Sequence, residues 1–496
     1  MNLLKKQGIL NSVILYAGTA LGFFNLIILF QRYLSIEQIG FFSLLATISM
    51  LYAQFASLGV SNIILKYFPV FKTNDKKHGG FVSFVCLYVL LSFVVFTLLY
   101  VLLKMPIIEF YKGKQGSYLL LDNYYFLIPL SFFILAFGVL ESLARAIFHN
   151  VLSAFLREVL LRVFTSIAVL LIIANLINYH QFILIYIIAN AIIAIILSIS
   201  IYTNKNFRIA PIDIKVQTNK SEIARFGLFA VLSGGSFALI QNIDTLMLSA
   251  LTKESFSNVG IYSTFFGIAM VISLPAKALS RTSYQIISNA WAENDLQKIG
   301  KIYRKTSTVQ LMVGCLLLVG LIINKEHLIA LLHKSEYRQF FNVFILIGFA
   351  FLADITGGIN GAIINSSKYY KLVTILLTLA VVLCILLNLI LIPLFGMMGA
   401  ALSYFLTTLT LNFIYWLFIK VKFKLQPFGK IHFIILLIAS LSFLIGYYLP
   451  VLTNFYFDLI YRSTIVTIFY SSGCYFLKLS EDMNEMVDGL LTSIRK

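Results

Sequence analysis

The stretch NLILIPLFGMMGAALSYFL, Asn388 to Leu406, sets two apolar runs on either side of a Pro-x-x-Gly-x-x-Gly break that holds no charged residue. A turn between helices of a water-soluble domain faces solvent and is polar, so an uncharged one belongs at an apolar or interfacial boundary. Pro393 is expected to stop the first helix, Gly396 and Gly399 to let the chain reverse, and Gly399-Ala400-Ala401 to give the next helix a small-residue packing face. This predicts a helical hairpin whose outer turn lies at the edge of a membrane.

Composition extends that environment to the whole chain. Hydrophobic residues make up 60% and charged residues 12% of the 496 residues, with a mean hydropathy of +0.92. A soluble domain carries about 25% charged residues. Lipid offers no water to open backbone groups, which leaves helices or a closed barrel, and the long unbroken apolar runs lack the alternation of barrel strands. Windows of about 20 apolar residues recur about fourteen times, from 8–30 to 456–478, each long enough to cross roughly 30 Å of hydrocarbon. The fold expected is an all-α membrane protein of about fourteen transmembrane helices.

An even number of spans returns both termini to one side. Placing them in the cytoplasm puts about 29 of the 38 lysines and arginines at inner helix ends, as the positive-inside rule requires. The net charge of +18 is then a topological signal and a grip on anionic membrane lipids. No polar basic domain exists to bind nucleic acid. Ala17-Gly-Thr-Ala20 looks like a cleavage site, but its apolar run continues to Phe30, so an uncleaved first span is expected. Cys86, Cys315, Cys384 and Cys474 lie singly in apolar runs, as small core residues do, and neither they nor His327 and His333 spell a metal site.

An internal repeat organises the spans. Gly18 and Gly22 match Gly234 and Ala238, Ile39-Gly40-Phe41-Phe42-Ser43 matches Val259-Gly260-Ile261-Tyr262-Ser263, and Ala146-Ile147 matches Ala362-Ile363. This divides the chain into a six-helix lobe at 1–202, a cytoplasmic linker at 203–222, a second six-helix lobe at 223–421 in parallel repeat, a terminal helix pair at 422–479 and an amphipathic tail at 480–496. Met483, Val487, Leu490 and Ile494 share one face of that tail. Two repeated lobes are the architecture of alternating-access transporters.

Candidate functional residues are the polar ones that such spans ought to exclude. Lys277 and Arg281, four apart with Tyr284 on the same helical face, can meet an anionic head group; the repeat has Ser57 and Ser61 there. Their other role is to snorkel to the inner surface and set topology. Asp244, with Gln241 and Asn242, is a candidate for sugar hydroxyls, and Asp354, with no basic neighbour on its own helix, for ion coupling, H+ or Na+; a buried hydrogen-bonded contact is the other role for Asp354. Glu141 and Arg145 form an i,i+4 ion pair. Gly18, Gly22, Gly234, Gly235, Pro129 and Pro275 are candidate hinges, or close-packing positions.

NLILIPLFGMMGAALS, RYLSIEQIGFFSLLATI (Arg32 to Ile48) and VGIYSTFFGIAMVISLPAKALSRTSYQIISNAWAENDLQKIGKIYRKTS (Val259 to Ser307) resemble the polysaccharide-transport flippases of the multidrug/oligosaccharidyl-lipid/polysaccharide superfamily. The likeness runs along almost the whole chain. It implies a MATE-like fold in the bacterial cytoplasmic membrane, an undecaprenyl-diphosphate-linked oligosaccharide as substrate (an O-antigen, capsule or exopolysaccharide unit), no bound cofactor and glycan polymerase machinery as partner. A lipid II flippase is expected to carry arginines in its first span, and none lies between Lys6 and Arg32. A drug or metabolite antiporter of the superfamily is expected to have twelve spans. An enzyme is not expected: no Walker-type phosphate loop is present, and no large extramembrane loop or His/Asp cluster offers a catalytic site.

Overall fold

The turn inside Asn388–Leu406 is a single residue. In the computed structural model Tyr370–Phe395 and Met397–Phe423 are helices joined at Gly396 alone, whose φ of 58° and ψ of −132° suit a residue without a side chain. Pro393 lies inside the last helical turn rather than ending it, and the helix stops two residues later at Phe395, after which Gly396 donates to the Ile392 carbonyl. Gly399 lies against the Leu391 carbonyl, so a side chain there would push the two helices apart.

The structure describes residues 3–75, 77–147, 150–203, 210–212, 214–481, 484–485 and 488, with the side chains of 3–9, 214–220, 278 and 280–282 excepted. Met483, Val487, Leu490 and Ile494 of the expected tail lie outside the described residues.

The described chain is helical throughout, with no strand among the described residues. Among the described residues, eleven helices are long and apolar enough to cross a membrane. Three further helical passes complete the fourteen expected, and each falls short for a chemical reason. The fifth, Asn150 to Ile173, carries Arg157, Glu158 and Arg162. The tenth is broken into Phe341–Thr356 and Asn360–Asn365 around Gly358, whose φ is 63°. The fourteenth, Phe455–Phe476, buries Asp458 and Arg462.

Two compact units divide the chain between Thr264 and Phe265, downstream of the linker at which the repeat lobes were expected to part. Part of that linker is itself helical, because the seventh pass begins at Ile214 and runs to Leu251. Within the first unit, the seventh and eighth passes pack on the second through paired glycines. Gly227 abuts Leu58 and Gly59, and Gly40 and Gly260 abut each other's backbones. Ser43 and Ser263, equivalent in the sequence repeat, are hydrogen-bonded at 3.0 Å beside that crossing. Gly234 and Gly235 are close-packing positions in the same unit, against Gln54 and the Phe55 ring.

The eighth pass is not one straight helix. Ser255–Ala269 gives way to a 3₁₀ turn at Met270–Ser273, and a new helix, Leu274–Ala292, starts with Pro275 in its first turn, where its missing N–H costs little. Pro129 likewise follows a 3₁₀ turn at Tyr124–Phe126 and opens Leu127–Ala146. In the second unit the terminal pair is fastened by buried charge. Arg462 donates from Nε to Asp458 at 2.7 Å and from its two terminal nitrogens to the Gly446 and Leu449 carbonyls, each at 3.0 Å. His327, outside the metal-site chemistry considered for it, lies 3.3 Å from the same carboxylate.

Candidate functional site

In the first unit, the fifth pass begins at Asn150, and at 1.5 Å per residue Arg162 lies about 18 Å along it, near the midplane of a core roughly 30 Å thick. A guanidinium at that depth costs roughly 2.5–3.5 kcal/mol on insertion scales unless it is paired or wet. Arg162 is paired: it meets Glu158 at 2.9 Å, and its side chain keeps 32% of its surface open. Glu158 itself lies in a π-helical turn, Leu156–Leu160, a local widening often found at functional positions.

The first pass is shaped around this pair. Gly18 faces Glu158, and Gly22 leaves room for the Arg162 guanidinium, which a Cβ there would approach to 2.9 Å. Two glycines considered as hinges thus make space for charge. Asn25, opening a second π-helical turn at Asn25–Leu29, donates to the Arg162 carbonyl at 3.0 Å and accepts from Ser166 at 2.6 Å. One helical turn nearer the start of the fifth pass, Glu141 holds two arginines rather than the expected one: Arg145 at 2.6 Å and Arg157 at 2.9 Å. Three arginines and two glutamates leave this cluster one positive charge in excess.

The second unit builds another polar centre around the broken tenth pass. Asp354, about 20 Å into that pass, accepts from Asn412 at 3.0 Å; Asn412 in turn accepts from Asn360 at 2.8 Å. Gly357 has to be glycine for these amides to meet, since a Cβ would come within 2.6 Å of the Asn412 oxygen. The Thr356 carbonyl freed by the break accepts from Ser307, which also bonds His432. Asp354 is exposed on its pass. The missing basic neighbour comes from another helix: the charge of Lys277, on the exposed side of the eighth pass, acts on Asp354.

The remaining candidates are placed as follows. The Arg281 side chain lies outside the described residues. Tyr284 is exposed and accepts from Asn365 at 3.5 Å. Asp244 is only 2% exposed and accepts from Tyr262 at 3.1 Å. Asn242 donates to Ala238 of its own helix, and Gln241 beside it is half-buried. In this geometry Asp244 ties helices together inside the first unit. Arg157, Glu158 and Arg162 are not among the residues that the sequence singles out; the signal that points to them is the i,i+4 Glu158–Arg162 spacing inside LREVLLRV.

A many-helix membrane bundle with broken helices and paired charged groups at mid-depth is the build of a membrane transporter. The comparisons agree. The model of the polysaccharide biosynthesis protein family matches residues 4–291, and the chain belongs to that family. Among solved structures, a lipid II flippase MurJ in an inward closed conformation superposes with a TM-score of 0.74 at 17% identity, covering 94% of this chain and 99% of that one. A multidrug resistance MATE family transporter of the MOP superfamily, inward-facing, gives 0.66 at 14% identity, with 84% and 98% covered; an outward-facing one gives 0.57 at 14% identity, with 85% and 96% covered. The fold is thus MATE-like. No curated protein matches the chain significantly.

Proposed function

We propose that this protein is a flippase that carries an undecaprenyl-diphosphate-linked oligosaccharide, the repeat unit of an O-antigen, capsule or exopolysaccharide, across the bacterial cytoplasmic membrane by alternating access, with both termini in the cytoplasm. The observation that carries this reading is Arg162, a partly open guanidinium near mid-membrane, held by Glu158 and given room by Gly22. A diphosphate crossing a bilayer needs cationic donors in place of water, and a guanidinium fork fits its oxygens. Here a cation stands beside the first span but is supplied by the fifth, which separates this chain from the pattern expected of a lipid II flippase. Lys277 is the corresponding cation of the second unit, and Arg281, Tyr284, Gln241 and Asn242 remain candidates for the head group and its sugars, joined by Asp244 only in a conformation that opens its contact with Tyr262. No bond is made or broken, so the protein is a carrier rather than an enzyme, handing its product to glycan polymerase machinery.

Asp354 supports a second reading, a cation-coupled drug or metabolite antiporter of the MATE type, because a carboxylate deep along a pass, hydrogen-bonded by Asn412 and within the field of Lys277, can exchange H+ or Na+. The two readings separate in liposomes. Purified protein should move a labelled polyprenyl-diphosphate oligosaccharide between leaflets without accumulating a lipophilic cation. Accumulation of the cation driven by an H+ or Na+ gradient, with the glycolipid stationary, would establish the antiporter instead.

A further inference from the structure

The second unit has a cavity of about 610 Å³ at one end of its helices, lined by Trp291, Ser366, Lys368, Tyr369, Lys422 and Lys424, among others. Its walls come from the end of Leu274–Ala292, the start of Tyr370–Phe395 and the end of Met397–Phe423, so it lies where spans meet the membrane surface. Three lysines converge on it, all exposed, and no acid pairs with them among the described ion pairs. Its floor is aromatic: Trp291 packs edge-on to Phe423 with ring centres 4.9 Å apart, and Tyr369 has Lys368 at 5.4 Å and Lys422 at 5.5 Å from its ring. The hydroxyl oxygen of Ser366 is enclosed and has no hydrogen-bond partner.

Unpaired like charges held together in a concave site repel one another, and that repulsion is relieved by an anion. Trp and Tyr at this level anchor proteins among lipid head groups. The body of the lipid has a place as well. Val421, Leu417 and Phe413, spaced four apart on the helix that carries Lys422, are 70%, 42% and 55% exposed and run from the cavity toward the membrane interior. A soluble phosphate would use the lysines and leave this apolar strip unexplained.

We propose that this cavity is a binding site for the phosphate head group of an anionic membrane phospholipid, with Lys368, Lys422 and Lys424 on the phosphate, Tyr369 and Trp291 beneath it and an acyl chain along Val421, Leu417 and Phe413. The site is independent of the flippase reading, since it shares none of the residues assigned to the transported substrate.

The test is lipid binding by the full-length protein in neutral detergent, followed by native mass spectrometry and thermal unfolding with phosphatidylglycerol, phosphatidylcholine or glycerol 1-phosphate added. Each lysine near an anionic lipid surface contributes about 1 kcal/mol. Lys368→Gln with Lys422→Gln and Lys424→Gln should therefore weaken phosphatidylglycerol binding about a hundredfold. Lys72→Gln with Lys77→Gln and Lys112→Gln removes the same charge elsewhere and should leave it within about twofold, the scale of weak, screened surface electrostatics. Equal loss in both triple variants, unchanged binding in the first, or preference for phosphatidylcholine would overturn the site. Competition by glycerol 1-phosphate as strong as by the lipid would overturn the lipid and leave a soluble phosphate as the ligand. Unfolding curves without lipid check that the variants fold.

Discussion

Arg162→Gln removes the guanidinium on which the proposed substrate contact rests. The arginine makes one 2.9 Å ion pair with Glu158 and keeps about a third of its side chain open. If the open part meets the diphosphate, the loss is one or more charge-assisted bonds at about 1.5–3 kcal/mol each, which is a tenfold to hundredfold slower transfer at 1.4 kcal/mol per tenfold. The readout is the initial rate at which a fluorescent polyprenyl-diphosphate oligosaccharide becomes accessible to an impermeant quencher on the far side of a liposome. The single variant also strands Glu158, so slow transfer by itself does not tell substrate binding from broken packing. Glu158→Gln with Arg162→Gln removes both charges and restores neutrality inside the membrane. If Arg162 serves only Glu158, the double variant recovers stability and transport together. The account requires it to recover stability while transport stays low, and transport at the unaltered rate would refute it.

Three further outcomes follow from other parts of the chain. A cysteine at Asn74 should be shielded from an impermeant thiol reagent in intact cells and one at Lys112 should react; the reverse labelling would invert the proposed orientation. Asp354→Asn keeps the hydrogen bond to Asn412 but cannot exchange a proton, so any pH-gradient dependence of transport should vanish while membrane abundance is unchanged, and a persisting dependence would leave Asp354 a packing group. Arg462→Met abandons a buried Asp458 and should cost about 3–5 kcal/mol, read as a lower unfolding temperature, whereas Asp458→Asn with Arg462→Met should recover most of it; an unaltered temperature in the single variant would show that the pair fastens nothing.

Most of the architecture was legible in the chain because one constraint, the absence of water in lipid, dictates it. The apolar runs marked the helices, and the matched stretches Ile39–Ser43 and Val259–Ser263 marked the repeat; that they also meet, glycine on glycine and serine on serine, is a finding of the structure. The break in the tenth pass at Gly357-Gly358 was not expected, and neither was what it serves, because Asn360 and Asn412 are far apart in sequence and meet only when the helices pack. The same holds for charge. Glu141 and Arg145 could be paired by spacing, but the bond from Arg157 to Glu141 crosses between helices. Asp244 shows the limit from the other side: polar neighbours at 241 and 242 suggested open space, while Tyr262 encloses it. Local spacing reports which charges share a helix face, and tertiary packing decides which of them stay wet.

The most direct test of carriage by alternating access uses the Ser43–Ser263 contact. With the hydroxyl oxygens 3.0 Å apart, Ser43→Cys with Ser263→Cys should form a disulfide on mild oxidation, pinning the second pass to the eighth. In liposomes loaded with the polyprenyl-diphosphate oligosaccharide, the account predicts rapid transfer by the reduced double-cysteine protein, arrest on oxidation and recovery on reduction. Transfer that continues at full rate through the cross-linked protein would contradict it.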